Sequence, residues 1–233
     1  MATILLLETA TEVCSVALAI DGKVAGFREN REGFSHAELV TVYAGQLLSD
    51  VGLEMTNLDA VCCSRGPGSY TGLRIGTSVA KGICYAMNIP LLAVGTLHSM
   101  AFQSAMEEEK RALTPGLRFC PMLDARRMEV YTALFDGKGN PLGEISAMVI
   151  NQDSFAAELN EGPLRFLGNG AHKCKSVLIH PNALFVDDFH ASARFMSFLA
   201  EERFNKKHVE DVSYFEPFYL KDFMATVPKN KIF

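Results

Sequence analysis

The stretch Thr3-Ile4-Leu5-Leu6-Leu7-Glu8 is a continuous apolar run that ends in an acid, and Phe119-Cys120-Pro121-Met122-Leu123-Asp124 is another. Each is followed by a short polar turn, Thr9-Ala10-Thr11-Glu12 in the first case and Ala125-Arg126-Arg127-Met128 in the second. Each turn leads into a second apolar run, Val13 to Ile20 and Glu129 to Phe135. Each run closes on the same tripeptide, Asp21-Gly22-Lys23 and Asp136-Gly137-Lys138. Asp-Gly supplies the positive backbone angles that a tight hairpin needs, so both stretches read as strand–turn–strand. Asp-Gly hairpins also recur by chance, so the repeat rests on the order of elements downstream of each copy.

That order is shared. The first copy continues with a strand at 24–29, a helix at 35–51, a strand at 59–64, a helix at 71–87 and a strand at 90–94. The second continues with a strand at 142–149, a helix at 152–160, a strand at 164–168, a helix at 170–179, a short strand at 183–186 and a helix at 191–204. This is a duplicated α/β unit of three strands, helix, strand, helix. The charged run Met106-Glu107-Glu108-Glu109-Lys110-Arg111, followed by Pro115-Gly116, reads as the junction. The expected division is a first subdomain at 1–105, a linker at 106–116, a second subdomain at 117–215 and a tail at 216–233. The tail packs back through Pro217-Phe218-Tyr219, and residues 226–233 are expected to fray.

Between strand and helix lies Arg65-Gly66-Pro67-Gly68-Ser69-Tyr70-Thr71-Gly72-Leu73-Arg74. Gly-Pro-Gly forces a turn, and Ser69 or Thr71 can cap the helix. The helix then carries Gly72, Gly76 and Ala80 at intervals of four, a face almost without side chains. Glycine in a helix costs roughly 0.5–1 kcal/mol against alanine, so another backbone is expected to approach there. The stretch is not a Walker phosphate loop, because Gly72 is followed by Leu73-Arg74 rather than Lys-Ser/Thr. It is not a nucleophile elbow either, because Pro67 and Thr71 flank Ser69 where glycines belong.

The chain has 233 residues, 48% hydrophobic and 21% charged, with a net charge of −5. That is enough to bury a sizeable core, and the acid balance argues against strong independent binding of nucleic acid. Several of the six cysteines lie in apolar runs, and none has Cys-x-x-Cys spacing, which fits a reducing, cytoplasmic compartment. Glu8 interrupts the first apolar run, so it reads as a strand rather than a signal peptide, and no run is long enough to span a membrane.

The duplicated pattern with an acid-ended first strand resembles the actin-like ATPase and sugar-kinase fold. The strings Leu7-Glu8-Thr9-Ala10-Thr11, Gly66-Pro67-Gly68-Ser69-Tyr70-Thr71-Gly72-Leu73-Arg74, Asp124-Ala125-Arg126-Arg127-Met128-Glu129 and Pro217-Phe218-Tyr219-Leu220-Lys221 resemble the bacterial TsaB (YeaZ) family along nearly the whole chain. The resemblance implies a part in making threonylcarbamoyl-adenosine in tRNA. TsaB there is the non-catalytic paralogue and partner of the transferase TsaD, and a small ATPase, TsaE, completes the complex. It implies no required cofactor, with weak or interface-dependent nucleotide binding the exception, and contact with tRNA only through the complex; a peptidase is not expected, because no Ser/His/Asp order or zinc motif is present.

TsaD-type paralogues hold a metal with a His-x-x-x-His pair after the strand that follows the Gly-Pro-Gly helix. Here the matching positions are Thr96 and Met100, with His98 between them, so no metal site is expected. A nucleotide would lie against Glu8, Thr9, Asp124, Arg126, Gly168 and Gly170, yet the first hairpin lacks a glycine to admit phosphate. Function is therefore expected on a surface. Leu39, Val42 and Tyr43 on one helix, with Gly72, Arg74, Ile75, Gly76, Val79 and Ala80 on the next, form the expected interface. It would serve a homodimer when the chain is alone and a TsaD heterodimer otherwise; the bland reading is that both helices pack on each other inside the monomer. The competing functional reading is an independent actin-fold kinase or ATPase acting on a small molecule.

Overall fold

A computed structural model describes residues 2–33, 35–110 and 114–221. The first sheet is built from β1 (Thr3–Glu8), β2 (Cys14–Ile20), β3 (Lys23–Asn30), β4 (Ala60–Gly66) and β5 (Leu91–Gly95), in the order β3-β2-β1-β4-β5. The second holds β6 (Arg118–Asp124), β7 (Glu129–Thr132), β8 (Ser146–Val149), β9 (Leu164–Leu167) and β10 (Ala183–Phe185), in the order β8-β7-β6-β9-β10. In each sheet the first three strands pair antiparallel and the last two run parallel to the first. The two halves thus share one topology, and the protein has the duplicated actin-like fold that the repeated hairpins predict. Asp21 and Gly22 both take positive φ, as the first Asp-Gly turn requires.

The helices are α1 (His36–Asp50), α2 (Tyr70–Met87), α3 (Thr96–Glu109), α4 (Ala156–Glu161), α5 (Ala171–Cys174) and α6 (Ser197–Asn205), the last continuing a 3₁₀ turn at Ala193–Met196. Ser69 caps α2, its side chain accepting from the Gly72 amide at 3.3 Å. α1 and α2 cover one face of the first sheet, where Val40, Ala44, Leu47, Ala80 and Cys84 pack on Leu5, Leu7, Val16 and Val61. α4 and α5 cover the matching face of the second, and Leu159, Ala171 and Cys174 pack on Cys120, Met122 and Phe166.

The remaining faces are covered crosswise. Leu97, Met100, Ala101 and Ala105 of α3 pack on Phe119, Leu123 and Leu167 of the second sheet. Ala193, Met196, Leu199 and Ala200, from the 3₁₀ turn and α6, pack on Ile4, Leu6, Ala17 and Leu92 of the first. Each half therefore lends its last helix to the other.

α3 corrects the expected linker at 106–116, because residues 106–109 are its final turn. Its acid run is not a solvated face: Glu108 is buried and its Oε2 lies 2.8 Å from Arg165 Nη1 of β9. Thr114 donates its hydroxyl to Glu108 Oε1 at 2.7 Å. That bond first, and then Arg165, hold the Glu108 carboxyl below the ordinary range. The second half is more irregular than its sequence suggests. The helix expected at 170–179 is only four residues long, and the strand expected at 142–149 forms from Ser146.

The tail runs along the edge of the first sheet. Glu210 bridges Leu91, Phe215 is buried under α1 and α2, and Phe218 donates its amide to Arg65 O at 2.7 Å. Lys221 then pairs with Glu129 of the second half. The expected fraying at 226–233 lies outside the described residues.

Candidate functional site

The β1–β2 turn is where an actin-like protein would meet phosphate. Glu8, Thr9, Ala10 and Thr11 are all buried. Three amides in and beside the turn bond within the chain: Thr9 N donates to Ser64 Oγ at 3.3 Å, Ala10 N to Glu8 Oε1 at 2.7 Å and Val13 N to Thr11 Oγ1 at 3.2 Å. Its carbonyls are engaged too, Ala10 O by Ser69 N at 2.6 Å and Thr11 O by His36 Nε2 at 2.9 Å.

The close approach that the helix glycines imply is made by this same turn. A Cβ on Gly68 would sit 2.3 Å from Ala10 O, on Gly72 2.1 Å from Thr9 O, and on Gly76 2.3 Å from Thr9 Oγ1. The expectation that Gly72, Gly76 and Ala80 face a partner is therefore corrected. All three are buried within the monomer, and the approaching backbone is the chain's own first hairpin.

Glu8 ends β1 on the face that meets the second half. It is fully buried, its Oε2 has no hydrogen-bond partner, and burial pushes its pKa up to about 7 against the pull of the Ala10 amide and the Ser64 hydroxyl. Beside it, polar side chains join the halves. Ser192 bonds Glu29, Ser15 Oγ accepts from Ala193 N at 2.9 Å, and Asn169 Nδ2 donates to Glu12 Oε2 at 2.8 Å. Sequence reading missed Ser15, Glu29, Asn169 and Ser192, because no local pattern marks a contact between positions so far apart.

The second hairpin repeats the arrangement. Asp124 N donates to Asn169 Oδ1 at 3.0 Å, Arg126 N to Asp124 Oδ1 at 2.9 Å and Ala125 N to Glu129 O at 3.1 Å. The Asp124 carboxylate is paired with Lys173. Gly168 has φ +104°, and a Cβ there would lie 2.4 Å from Met122 O, while one on Gly170 would lie 2.8 Å from Leu123 C. These glycines admit the close approach of the chain's own backbone. Two depressions of the described surface lie elsewhere, one around Gly45, Leu48 and Met55 and one around Glu107, Arg165 and Phe189. Glu8 and Thr9 are buried, Asp124 and Arg126 are exposed, and Asn169, between Gly168 and Gly170, joins the two hairpins through Asp124 N and Glu12 Oε2.

Thr96 and Met100 lie one turn apart at the start of α3, both fully buried. Met100 Cε fills the space beside Gly168, and His98 stacks on Phe135 with ring centroids 5.9 Å apart. Among the described residues, no three His, Cys, Asp or Glu side chains gather to hold a metal ion. All six cysteines are free and buried. Burial raises the thiols of Cys62, Cys63 and Cys120 far from the range of a nucleophile.

The surface is more open on α1 and α2. Val42, Arg74 and Tyr85 are exposed, Tyr85 by 84%. Leu39, Tyr43, Ile75, Val79 and Ile83 are half-buried between the helices and solvent. Gly45 on α1 and Gly82 on α2 are exposed, and a Cβ on either would meet nothing within 4 Å. No described helix is long and apolar enough to cross a membrane.

A sequence model of the TsaD family, described as tRNA N6-adenosine threonylcarbamoyltransferase, matches residues 32–229. The tRNA threonylcarbamoyladenosine biosynthesis protein TsaB of Haemophilus influenzae is 28% identical over 229 residues, 94% of each chain. The protein of the same name from Escherichia coli is 36% identical over 154 residues, 64% of this chain and 63% of its own. A crystal structure from Pseudomonas aeruginosa, described as an uncharacterized protein with similarity to peptidase YEAZ, superposes with a TM-score of 0.80 at 26% identity, covering 95% of this chain and all of that one. The duplicated sheets and these likenesses agree, and the chain belongs to the TsaD family of proteins and, within it, to the TsaB (YeaZ) group.

Proposed function

We propose that this protein is a non-catalytic subunit that binds a TsaD paralogue in the cytoplasm and supports threonylcarbamoylation of tRNA. The observation that carries the reading is the outer face of α1 and α2. There Val42 and Tyr85 lie in solvent beside Gly45 and Gly82, two helix glycines for which the monomer has no packing use. A glycine in a helix interior is unfavourable by about 1 kcal/mol, and a second pair of helices seated closely on this face gives these two a purpose. The face is self-complementary in kind, so the same surface makes a homodimer when the chain is alone. TsaE joins the assembled complex rather than this face. The reading assigns the chain no phosphoryl transfer and no peptide hydrolysis. The Thr9 and Ala10 amides of the first hairpin and the Asp124, Ala125 and Arg126 amides of the second are already bonded within the chain, and the thiols are buried.

The test is light scattering coupled to size exclusion, on the chain alone and mixed with TsaD from the same genome. Gly82→Leu has room in the monomer, so it should fold normally yet fail to form either dimer. A Gly82→Leu chain that assembles like the parent would refute this face, and a parent chain that ignores TsaD would refute the function.

A further inference from the structure

The loop between β6 and β7 places two successive non-glycine residues in the left-handed region, Arg126 at φ +71° and Arg127 at φ +48°. For residues with a Cβ this conformation is unfavourable by roughly 1–2 kcal/mol each. Local bonds hold it, from Arg126 N to Asp124 Oδ1 at 2.9 Å and from Glu129 N to Arg126 O at 3.1 Å. Glycine or asparagine would meet the backbone requirement at less cost, so the guanidinium groups need another explanation.

Neither arginine serves an internal ion pair. Asp124 is held by Lys173 and Glu129 by Lys221, so the two nearest carboxylates are occupied by other cations. Among the described residues Arg126, Arg127 and Arg74 make no salt bridge, and all three are exposed. The Lys221–Glu129 pair brings the tail against this loop. Two residues back, Tyr219 packs on Tyr70 with ring centroids 4.8 Å apart, and Arg74 lies over the Tyr70 ring at 5.4 Å. Arg74 thus borders a pair of partly exposed aromatic rings, and the tail that carries Tyr219 reaches the Arg126–Arg127 loop through Lys221, on a chain whose overall charge is −5.

We propose that Arg126 and Arg127, with Tyr219 carried by the tail that Lys221 ties to the same loop, form a contact surface for the phosphodiester backbone of RNA. Cations that track phosphates next to rings on which bases can stack are the general recipe for sequence-tolerant binding of nucleic acid. The inference rests on the proposed role in a tRNA-modifying assembly and deepens it: RNA touches this subunit directly. The net negative charge makes the contact a weak one for the chain alone, and its contribution appears in the complex.

The experiment is fluorescence anisotropy of labelled bulk tRNA against the complex with TsaD, repeated over a range of salt. The variants are Arg126→Gly/Arg127→Gly and Arg126→Lys/Arg127→Lys. The glycine pair should raise Kd roughly tenfold and flatten the dependence of log K on log salt by about 1.4–1.8, one contact of ~0.7–0.9 per arginine. The lysine pair, which keeps both charges, should retain most of the slope. Thermal unfolding of the glycine pair should be unchanged or higher, which separates lost contact from lost fold. Millimolar ATP should not displace the tRNA. Unchanged Kd and slope in a complex that still assembles would overturn the proposal while leaving the proposed function intact. Displacement by ATP would also overturn it, in favour of a small-anion site. So would weaker assembly with TsaD at unchanged RNA affinity, in favour of an acidic protein surface. Failure of the parent chain to bind TsaD would instead refute the function.

Discussion

Replacing Glu8 by Gln should change how stability depends on pH, and in an unusual direction. The Glu8 carboxyl is wholly enclosed, bonded only through Oε1, and raised from 4.5 to about 7. In the unfolded chain it titrates near its ordinary value. Between these two values the folded protein therefore holds a proton that the unfolded chain has released. The stabilisation linked to that proton is fully present below 4.5, declines as pH rises through the window and is gone above about 7. At ~1.4 kcal/mol per pH unit, the gap amounts to about 3 kcal/mol. Glutamine has the shape of the protonated acid and does not titrate. The stability of Glu8→Gln relative to the parent should therefore rise by about 3 kcal/mol between about pH 4.5 and about pH 8, with most of the change below neutrality. Urea unfolding followed by circular dichroism at a series of pH values measures this directly, because other groups cancel in the difference. A difference that stays flat, or that moves against Glu8→Gln as pH rises, would show that Glu8 is ionised in the folded protein and that its carboxyl is not enclosed.

The two classes of helix glycine should separate cleanly. Gly82→Ala should raise the urea midpoint by the equivalent of about 0.5–1 kcal/mol, the ordinary gain in helix propensity at an open site. Gly76→Ala should lower it by roughly 1–3 kcal/mol, because its Cβ would collide with Thr9 Oγ1. Equal effects would mean that the first hairpin is not seated on α2. Glu108→Ala should destabilise by about 2 kcal/mol, since it leaves Arg165 enclosed without its acid, and Glu108→Ala/Arg165→Met should recover part of the loss in a double-mutant cycle. The Glu108 carboxyl is held low, so its contribution is present above pH 4.5 and is lost on acidification, opposite in sign to that of Glu8.

The first half is legible because its signals are local. An apolar run closed by an acid gives β1, Asp21-Gly22 gives the hairpin, and Ser69 gives the start of α2. Even the demand for a backbone neighbour is readable at Gly72 and Gly76, but its identity is not. A glycine face reports that something comes close, and only the folded chain shows that Thr9 and Ala10 do so. The final turn of α3 reads as a linker for a related reason. Glu107-Glu108-Glu109 looks solvated until Arg165, 57 positions away, is brought beside Glu108. The bonds that join the halves beside Glu8, such as Asn169 to Glu12 and Ala193 to Ser15, have separations of 157 positions or more and leave no periodic trace.

The crosswise placement of α3 and α6 also sets a timetable for synthesis. The first sheet is complete once β5 leaves the ribosome, but the face formed by Ile4, Leu6, Ala17 and Leu92 stays uncovered until Ala193 to Ala200 emerge. At about 5–20 residues per second, that leaves an apolar surface bare for several seconds on a nascent chain. The second sheet has its cover waiting, because α3 is made before β6. The early half is thus the one that needs protection, and a ribosome stalled between the two halves would release a fragment unable to close its own core.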